Sequence, residues 1–240
     1  MTVLRSLLFN ILYVTWTLLL GILYLPLLAA PPRAVQRACK IWLAGLRGMA
    51  RVIAGVHYRI EGREHLPAHG PVIVAAKHQS AFDTFLFHGL LDDPVYILKR
   101  ELFRIPFVGW YMRAGGMIGI DRAAGAQALR GMLHACETAL AEGRQIVIFP
   151  EGTRTAPGDS RPYHPGVAAL YARFPDVPVV PVALNSGLLW GRRAFRKDPG
   201  TVTLRMLPPV ERGLDRRAFL NTLHTRIEEA VAALPPPERE

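Results

Sequence analysis

The longest apolar stretch of the chain lies at residues 6–30, which contain no charged side chain. A bilayer core needs about 20 apolar residues in a helix, so this segment is long enough to enter a membrane. Tyr13, Trp16 and Tyr24 are of the kind that often sit at the membrane interface. A cleaved signal peptide is the alternative, although its apolar core is usually shorter. The pattern leaves open whether the segment spans the bilayer or lies in one leaflet.

The next segment, residues 33–54, follows the helix-breaking pair Pro31-Pro32 and has a different pattern. At 100° per residue its basic side chains fall within an arc of about 80°, with apolar side chains on another face. Such a helix suits an anionic bilayer surface, and a surface helix packed on the domain is the alternative. The basic residues are Arg33, Arg37, Lys40, Arg47 and Arg51, and the apolar ones include Val35, Trp42, Leu46, Met49 and Ile53.

From residue 55 onward, short β-branched runs alternate with helical patterns, which predicts an α/β fold. We expect a mixed, mostly parallel sheet flanked by helices and preceded by an N-terminal two-helix membrane module. The two prolines at 178 and 181 predict that the run 177–184 is an edge or irregular strand. Asp215 is a candidate N-cap for the last helix. The predicted units are 1–54 (helices 6–30 and 33–54), 55–234 (the α/β domain) and a tail at 235–240, and the predicted strands are 71–76, 96–98, 117–120, 145–149, 177–184 and 201–206.

The formal net charge is +10, and no Asp or Glu precedes Glu61. A basic excess can indicate nucleic acid, an anionic membrane or an anionic substrate. Because the excess lies beside the apolar segment, it favours a membrane, and we expect no nucleic-acid partner. The two cysteines and eight histidines show no metal-ligand spacing, so neither a disulfide framework nor a metal site is expected.

His78 and Asp83 form the most informative pair of residues in the chain. They follow the apolar run 71–76. An imidazole oriented by a carboxylate can deprotonate a hydroxyl at neutral pH. On a straight helix, positions five apart diverge by about 140°. The two side chains can therefore meet only if His78 lies in the turn before a helix and Asp83 in its first turn. Ser80 is a plausible N-cap for that helix.

A second candidate motif, Phe-Pro-Glu-Gly-Thr-Arg at 149–154, directly follows an apolar run. Polar loops at the end of a strand are where α/β proteins bind ligands. Gly152 allows the backbone to approach an anion closely, and Arg154 can bind a phosphate with two hydrogen bonds. Glu151 can accept a bond from a ligand hydroxyl or hold Arg154 in position, and Thr153 lies between them. A surface turn with an Arg–Glu pair is the alternative for this loop.

Two further segments carry charge at the end of apolar runs. Arg122 ends the run 115–122 and is a second phosphate candidate, whereas Asp121 is better explained as a helix cap. Lys99 follows Tyr96-Ile97-Leu98. Its ammonium can stabilise a developing oxyanion, and a solvated surface lysine is the equally weighted alternative.

Taken together, these motifs resemble the glycerolipid acyltransferase family. Four blocks match in order within residues 55–190: the His78–Asp83 pair, the block ending at Arg122, the Phe-Pro-Glu-Gly-Thr-Arg block, and Val-Pro-Val-Val-Pro-Val at 177–182. Two positions depart from the family pattern. Lys77 stands where the family usually has Asn, and His164 stands where a lysine is common, which puts acceptor preference in doubt.

The resemblance implies transfer of an acyl group from acyl-CoA or acyl carrier protein to the sn-2 hydroxyl of lysophosphatidate, giving phosphatidate. It implies His78 as the general base, Asp83 as its orienting partner, and a phosphate pocket of Arg154, Arg122, Glu151, Gly152 and Thr153. No cofactor other than the acyl donor is expected. The resemblance to the bacterial members places the expected enzyme at the bacterial inner membrane, among membrane lipids. More positive charge follows the apolar segment than precedes it, so we expect the catalytic domain on the cytoplasmic face.

Three alternatives remain open at this point. The acceptor can be another lipid, such as a lyso-ornithine lipid, a lysophospholipid with a head group, or dihydroxyacetone phosphate. The chain can be a thioesterase, but a phosphate-binding loop would then have no clear purpose. It can also be a non-catalytic membrane-binding protein, against which the intact motif residues argue.

Overall fold

The computed structural model describes residues 1–238, in which helices and strands alternate around one mixed sheet. The strands are β1 (Val56–Glu61), β2 (Val72–Ala76), β3 (Pro94–Lys99), β4 (Ile118–Ile120), β5 (Gln145–Ile148), β6 (Val179–Leu184) and β7 (Gly200–Met206). The α-helices are α1 (Thr2–Leu23), α2 (Pro32–Met49), α3 (Phe82–Leu90), α4 (Val108–Ala114), α5 (Gly125–Ala141), α6 (Gly166–Arg173) and α7 (Arg216–Ala232).

The order of the strands across the sheet is β1-β7-β6-β2-β5-β3-β4. Neighbouring strands are parallel except for β6 and β7, which are antiparallel. The predicted α/β fold with a mostly parallel sheet is therefore confirmed. Strand β1 was missing from the sequence prediction. Of the predicted tail, Arg239 and Glu240 lie outside the described residues.

Strand β2 shows why the sheet needs helices on both faces. All five of its residues are buried, which is typical of a strand covered on both sides. Val72 and Val74 enter one core, with Phe82 of α3 and Leu46 of α2. Ile73 lies in the opposite core, together with side chains of α5, α6 and α7. The apolar run before His78 thus forms a strand between the two cores, and His78 closely follows this central strand.

The run 177–184 was predicted to be an edge or irregular strand, and the edge position is wrong. Strand β6 pairs with β2 on one side and β7 on the other, and all its residues are buried. Pro181 is tolerated because the ladder to β7 begins only at Val182. Beyond the end of that ladder, Leu207 N–H donates to the Pro181 carbonyl. In this bond the proline is the acceptor, so its missing N–H is not needed.

The two N-terminal helices form a hairpin that packs on the α/β domain. The first helix starts earlier than predicted and ends at Leu23, followed by a 3-10 turn at Leu25–Ala29. It is the one helix in residues 1–238 that is long and apolar enough to cross a membrane, and most of it is not buried. Phe9 of α1 is fully buried and packs edge-on against Trp190. One side of α1 therefore belongs to the core.

Helix α2 is amphipathic, as its sequence pattern indicates, but its apolar side faces protein. Val35 and Leu46 are buried, and Trp16 of α1 donates to the Trp42 carbonyl at 3.0 Å. On the basic side, Arg47 donates to the Phe85 carbonyl of α3 at 2.8 Å. The apolar surface that remains exposed in this hairpin belongs mainly to α1.

Candidate active site

The candidate site residues lie along one edge of the sheet. Strands β6, β2, β5, β3 and β4 run parallel to their neighbours in that order, so their carboxyl ends meet at the same edge. In α/β proteins this edge is where ligands bind. The segments that follow β6, β2, β5 and β4 carry Ser186, His78, Glu151 and Asp121, and Lys99 is the last residue of β3.

His78 and Asp83 meet in the way the sequence predicts. His78 lies in the turn after β2, and Asp83 lies in the first turn of α3. The distance from His78 Nδ1 to Asp83 Oδ2 is 2.9 Å. The predicted N-cap is one residue off, because Ala81 is the N-cap, but Ser80 Oγ does accept from Phe82 N–H at 3.1 Å. The pair therefore depends on the turn between β2 and α3, which hydrogen bonds to side chains of the turn and of α3 stabilise.

Asp83 is anchored by three donors besides His78. Its Oδ2 accepts from the backbone N–H groups of Gln79 and Ser80 at 2.9 Å each, and its Oδ1 accepts from Ser186 Oγ at 2.5 Å. The Asp83 side chain is 0% exposed, whereas that of His78 is 16% exposed. A ligand can therefore reach the imidazole while the carboxylate stays out of water.

The imidazole of His78 is held on its flat side and through its main chain. Its ring stacks on Phe149, with 3.9 Å between centroids. Thr155 fixes the backbone, because both its N–H and its hydroxyl donate to the His78 carbonyl, at 2.8 and 3.2 Å. The loop 149–155 thus positions the histidine of the other motif.

Gly152 allows the close contacts at the centre of that loop. Its φ is +65°, and a Cβ there would lie 2.7 Å from the His164 ring and 2.8 Å from the Arg122 guanidinium. Arg122 donates to the Gly152 carbonyl at 2.7 Å. Arg122 therefore already spends one N–H on the loop and has the others left for a ligand.

Arg154 lies half-buried beyond Gly152, with Thr153 half-buried between them. Burial and the nearby Arg192 guanidinium lower the pKa of Arg154, with a smaller effect of Arg193, while Asp83 acts in the opposite direction. Arg192 and Arg193 were not singled out from the sequence. Arg154 thus lies near Asp83 and near two further guanidinium groups, which makes its surroundings attractive to an anion.

Glu151 does not face Arg154 but belongs to a buried ionic cluster. Its Oε1 lies 3.4 Å from Lys77 Nζ and 3.4 Å from the His78 backbone nitrogen. Lys77 also binds both carboxylate oxygens of Glu228 on α7, at 2.8 and 2.9 Å. Burial raises the pKa of Glu151 to about 7, against the lowering effect of Lys77. Glu151 Oε2 has no partner within residues 1–238, so a carboxyl proton fits there.

Lys99 is placed apart from the pair. It is exposed and ends β3, the second strand from β2. Adjacent strands lie about 4.8 Å apart, so roughly 10 Å of sheet separates its backbone from that of His78. An oxyanion role for Lys99 remains a prediction.

Sequence reasoning missed Ser186, Thr155 and the partners of Lys77. Ser186 was within reach of the rule that ligands bind beyond the carboxyl ends of parallel strands, because it closely follows the apolar run 177–184. The Lys77–Glu228 contact joins residues 151 positions apart, and no local pattern reveals it.

Comparison with known proteins shows the family to which the chain belongs. The acyltransferase family model matches residues 57–185, which is more than half of the chain. This chain belongs to the acyltransferase family. The 1-acyl-sn-glycerol-3-phosphate acyltransferase of Pseudomonas aeruginosa is 33% identical over 87% of this chain and 79% of its own length. The human enzyme named 1-acyl-sn-glycerol-3-phosphate acyltransferase alpha is 30% identical, over 82% of this chain and 70% of its own length.

The fold of this acyltransferase is also found in a solved structure. The crystal structure of the 1-acyl-sn-glycerophosphate acyltransferase PlsC from Thermotoga maritima matches it with a TM-score of 0.77, covering 97% of both chains at 23% identity. The matched length includes the N-terminal helices, so the hairpin of α1 and α2 is part of the shared fold.

Proposed function

We propose that the chain transfers a fatty acyl group from a thioester donor, acyl-CoA or acyl carrier protein, to the sn-2 hydroxyl of lysophosphatidate. The observation that carries this proposal is the partly exposed His78, held at 2.9 Å by a buried Asp83 and flanked by the arginine-bearing loop 149–154. The names of the relatives favour the same acceptor.

In the proposed reaction His78 acts as a general base on the acceptor. Because Nδ1–H donates to Asp83, Nε2 is free to take the proton of the sn-2 hydroxyl. The hydroxyl oxygen attacks the thioester carbonyl and forms the ester bond. The carbon–sulfur bond then breaks, and the leaving thiolate takes the proton from His78. Asp83 stabilises the imidazolium between these two steps.

Direct transfer, without an acyl-enzyme, fits the environment of the thiols and hydroxyls. Burial raises the pKa of both Cys39 and Cys136 to about 12, so neither thiol is a nucleophile at neutral pH. Ser186 is buried, and its hydroxyl donates to Asp83. We therefore assign no covalent intermediate.

The acceptor phosphate is assigned to Arg154 together with Arg122. Both lie at the loop 151–154, and Arg122 is held to it through the Gly152 carbonyl. The close approach around Gly152 and the neighbouring Thr153 shape this pocket. Glu151 does not touch the phosphate in this proposal. It stabilises the loop through its ion pair with the buried Lys77.

The proposed place of action is the cytoplasmic face of the bacterial inner membrane. The exposed apolar side of α1 supports attachment to a bilayer, where a lipid acceptor resides. The basic residues after α1 favour a cytoplasmic position for the α/β domain.

The test is an assay of purified protein with labelled acyl-CoA and a panel of lyso-lipids, in which lipid product and released thiol are both measured. Lysophosphatidate should be the preferred acceptor. His78→Ala should lower turnover by about 10²–10⁴-fold, the usual contribution of a general base. The matched control is His69→Ala, which removes an exposed histidine that precedes the amino end of β2, the end opposite to His78.

Each other outcome of this assay contradicts a part of the proposal. Thiol release without lipid product would identify a thioesterase. A preference for a lyso-ornithine lipid would exclude the phosphate acceptor. Full activity of a correctly folded His78→Ala variant would exclude the mechanism.

A further inference from the structure

A cavity of about 830 Å³ opens beside the candidate active site. This size falls within the usual range for small-molecule sites. Its walls come from the 3-10 turn after β3, with Arg100 and Arg104, from α4, with Trp110 and Arg113, and from Asp121 after β4. It therefore lies at the same sheet edge as His78, on the side of β3 and β4. None of the motif assignments uses it.

The lining of this cavity has the composition of a phosphate site. Arg100, Arg104 and Arg113 line it, and within residues 1–238 none of the three forms an ion pair. Two carboxylates, of Glu101 and Asp121, also line it. Asp121 is engaged, since its Oδ1 accepts from Ala123 N–H at 3.1 Å. Three unpaired guanidinium groups in a concave site favour a ligand with several negative charges.

Aromatic rings make up a second part of the lining. Trp110 is 42% exposed, and Phe103 lies under the Arg113 guanidinium at 5.4 Å. An exposed aromatic ring next to arginines suits a nucleobase attached to phosphates, because any base can stack on such a ring. A simple phosphate ion would leave this surface unused.

The distance to His78 selects one kind of nucleotide. The strands β3 and β4 are the second and third neighbours of β2, so their ends lie roughly 10 and 14 Å from the end of β2. The pantetheine arm of coenzyme A has about as many main-chain bonds as four residues, and so spans roughly 13–14 Å when extended. A nucleotide bound in this cavity can thus place its thioester at the imidazole.

We propose that the cavity of Arg100, Arg104, Arg113 and Trp110 binds the adenine nucleotide of acyl-CoA. The arginines bind its phosphates, the adenine lies on Trp110, and the pantetheine arm runs along the sheet edge to His78. This inference rests on the proposed function and makes acyl-CoA the donor. The acceptor phosphate stays at Arg154, so donor and acceptor approach His78 from different sides.

The experiment compares the double variant Arg104→Gln/Arg113→Gln with Arg130→Gln, which neutralises an exposed arginine of α5 outside the cavity. The double variant should raise the KM for acyl-CoA at least tenfold and leave the KM for lysophosphatidate unchanged. Its activity with acyl-pantetheine, which lacks the nucleotide, should equal that of the unmodified protein. Arg130→Gln should change none of these values.

A second readout does not require turnover. Adenosine 3′,5′-bisphosphate, the nucleotide half of coenzyme A, should bind the unmodified protein, quench its tryptophan fluorescence and compete with acyl-CoA. It should bind the double variant at least tenfold more weakly. If no donor is turned over but the bisphosphate still binds through these arginines, the proposed function fails while the nucleotide site stands.

Three results would overturn the inference while the proposed function holds. The first is an equal loss with acyl-CoA and acyl-pantetheine. The second is a raised KM for lysophosphatidate alone, which would assign the cavity to a lipid head group. The third is activity with acyl carrier protein but not with acyl-CoA.

Discussion

At the scale of single residues, the two members of the His78–Asp83 pair differ in what holds them. Asp83 accepts from four donors and is shielded from water. His78 is held by one carboxylate, one stacked ring and the bonds from Thr155 to its carbonyl. The carboxylate is therefore the fixed point, and the imidazole is the part that a substrate can touch.

The first prediction at this scale concerns Arg154. Arg154→Gln should raise the KM for lysophosphatidate by about 10–150-fold, because a charge-assisted hydrogen bond contributes about 1.5–3 kcal/mol. Steady-state kinetics with lysophosphatidate and with monoacylglycerol, which lacks the phosphate, will measure it. The variant should lose the preference for lysophosphatidate over monoacylglycerol.

The matched control for Arg154 is Arg216→Gln, at the exposed start of α7. It should leave both KM values unchanged. An unchanged KM for lysophosphatidate in the Arg154 variant would remove this residue from the phosphate pocket.

The residues of the candidate site that could be predicted from the sequence are those joined by local geometry. His78 and Asp83 are five positions apart, and the turn they require is a local one. Ser186 reaches Asp83 across 103 positions, and the position of Ser186 depends on β6 lying next to β2. Glu151 was in the predicted motif. Its partner Lys77 is revealed only by the pairing of β5 with β2 in the sheet.

At the scale of elements, the Lys77 cluster joins three parts of the fold. Lys77 follows β2, Glu151 follows β5, and Glu228 belongs to α7. Tyr163 also donates to Glu228, at 3.1 Å. One ammonium between two carboxylates leaves a surplus of negative charge in a buried place, which is costly unless one carboxyl carries a proton.

This cluster predicts a pH dependence of stability. The pKa of Glu151 is about 7 in the folded protein, against an ordinary value of 4.5. Between these two values the folded form binds more protons than the unfolded form, so the free energy of unfolding falls as the pH rises. The stabilisation is fully present below pH 4.5 and is lost as the pH rises through about 7. Glu151→Gln should remove this contribution, so the free energy of unfolding of the variant should rise relative to that of the unmodified protein between pH 5 and 7, which thermal denaturation from pH 5 to 8 will measure.

The control for Glu151 is Glu137→Gln, which removes an exposed carboxylate of α5 that pairs with Arg173. Its pH dependence should match that of the unmodified protein. If Glu151→Gln also leaves the slope unchanged, Glu151 does not take up a proton on folding.

The elements themselves were predictable to different degrees. Strands β2 and β5 stand out because they are apolar runs covered on both faces. Strand β1 lies at the edge of the sheet, and half of its residues are exposed, so it carries little apolar pattern. The predicted edge position of β6 was wrong because Pro178 precedes the strand and Pro181 lies where the ladder to β7 needs no donor. Only the register with the partner strand reveals this.

At the scale of the whole molecule, α1 is bound to the α/β domain along its length. Ser6 accepts from Lys197 N–H at 3.0 Å, and Asn10 donates to the Phe195 carbonyl at 3.0 Å. Near the other end, Tyr111 donates to the Gly21 carbonyl at 2.7 Å. A transmembrane helix would have to extend away from the domain, whereas α1 contacts the domain near both of its ends. These contacts favour a helix that lies in one leaflet of the bilayer.

The outer side of α1 is the surface that we expect to enter the bilayer. Its exposed apolar residues recur at helical spacing, so they form one stripe. Deleting residues 1–54 would also remove Phe9 from the core, so loss of membrane binding after that deletion could reflect unfolding. Substitutions on the stripe avoid this problem. The stripe includes Leu4, Leu8, Ile11, Leu18 and Ile22.

The triple variant Leu8→Gln/Ile11→Gln/Leu18→Gln should bind anionic vesicles at least a hundredfold more weakly, because burying each such side chain contributes about 1.5–3 kcal/mol. Vesicle flotation will measure binding, and thermal denaturation will check that the fold is kept. Ile60→Gln, on the exposed part of β1, is the control and should float like the unmodified protein. The triple variant should lose activity on vesicle-bound lysophosphatidate but keep it on a short-chain, water-dispersed form, since the stripe residues are exposed and do not pack in the core. Equal flotation of the triple variant and the unmodified protein would mean that another surface, such as the basic side of α2, attaches the enzyme to the membrane.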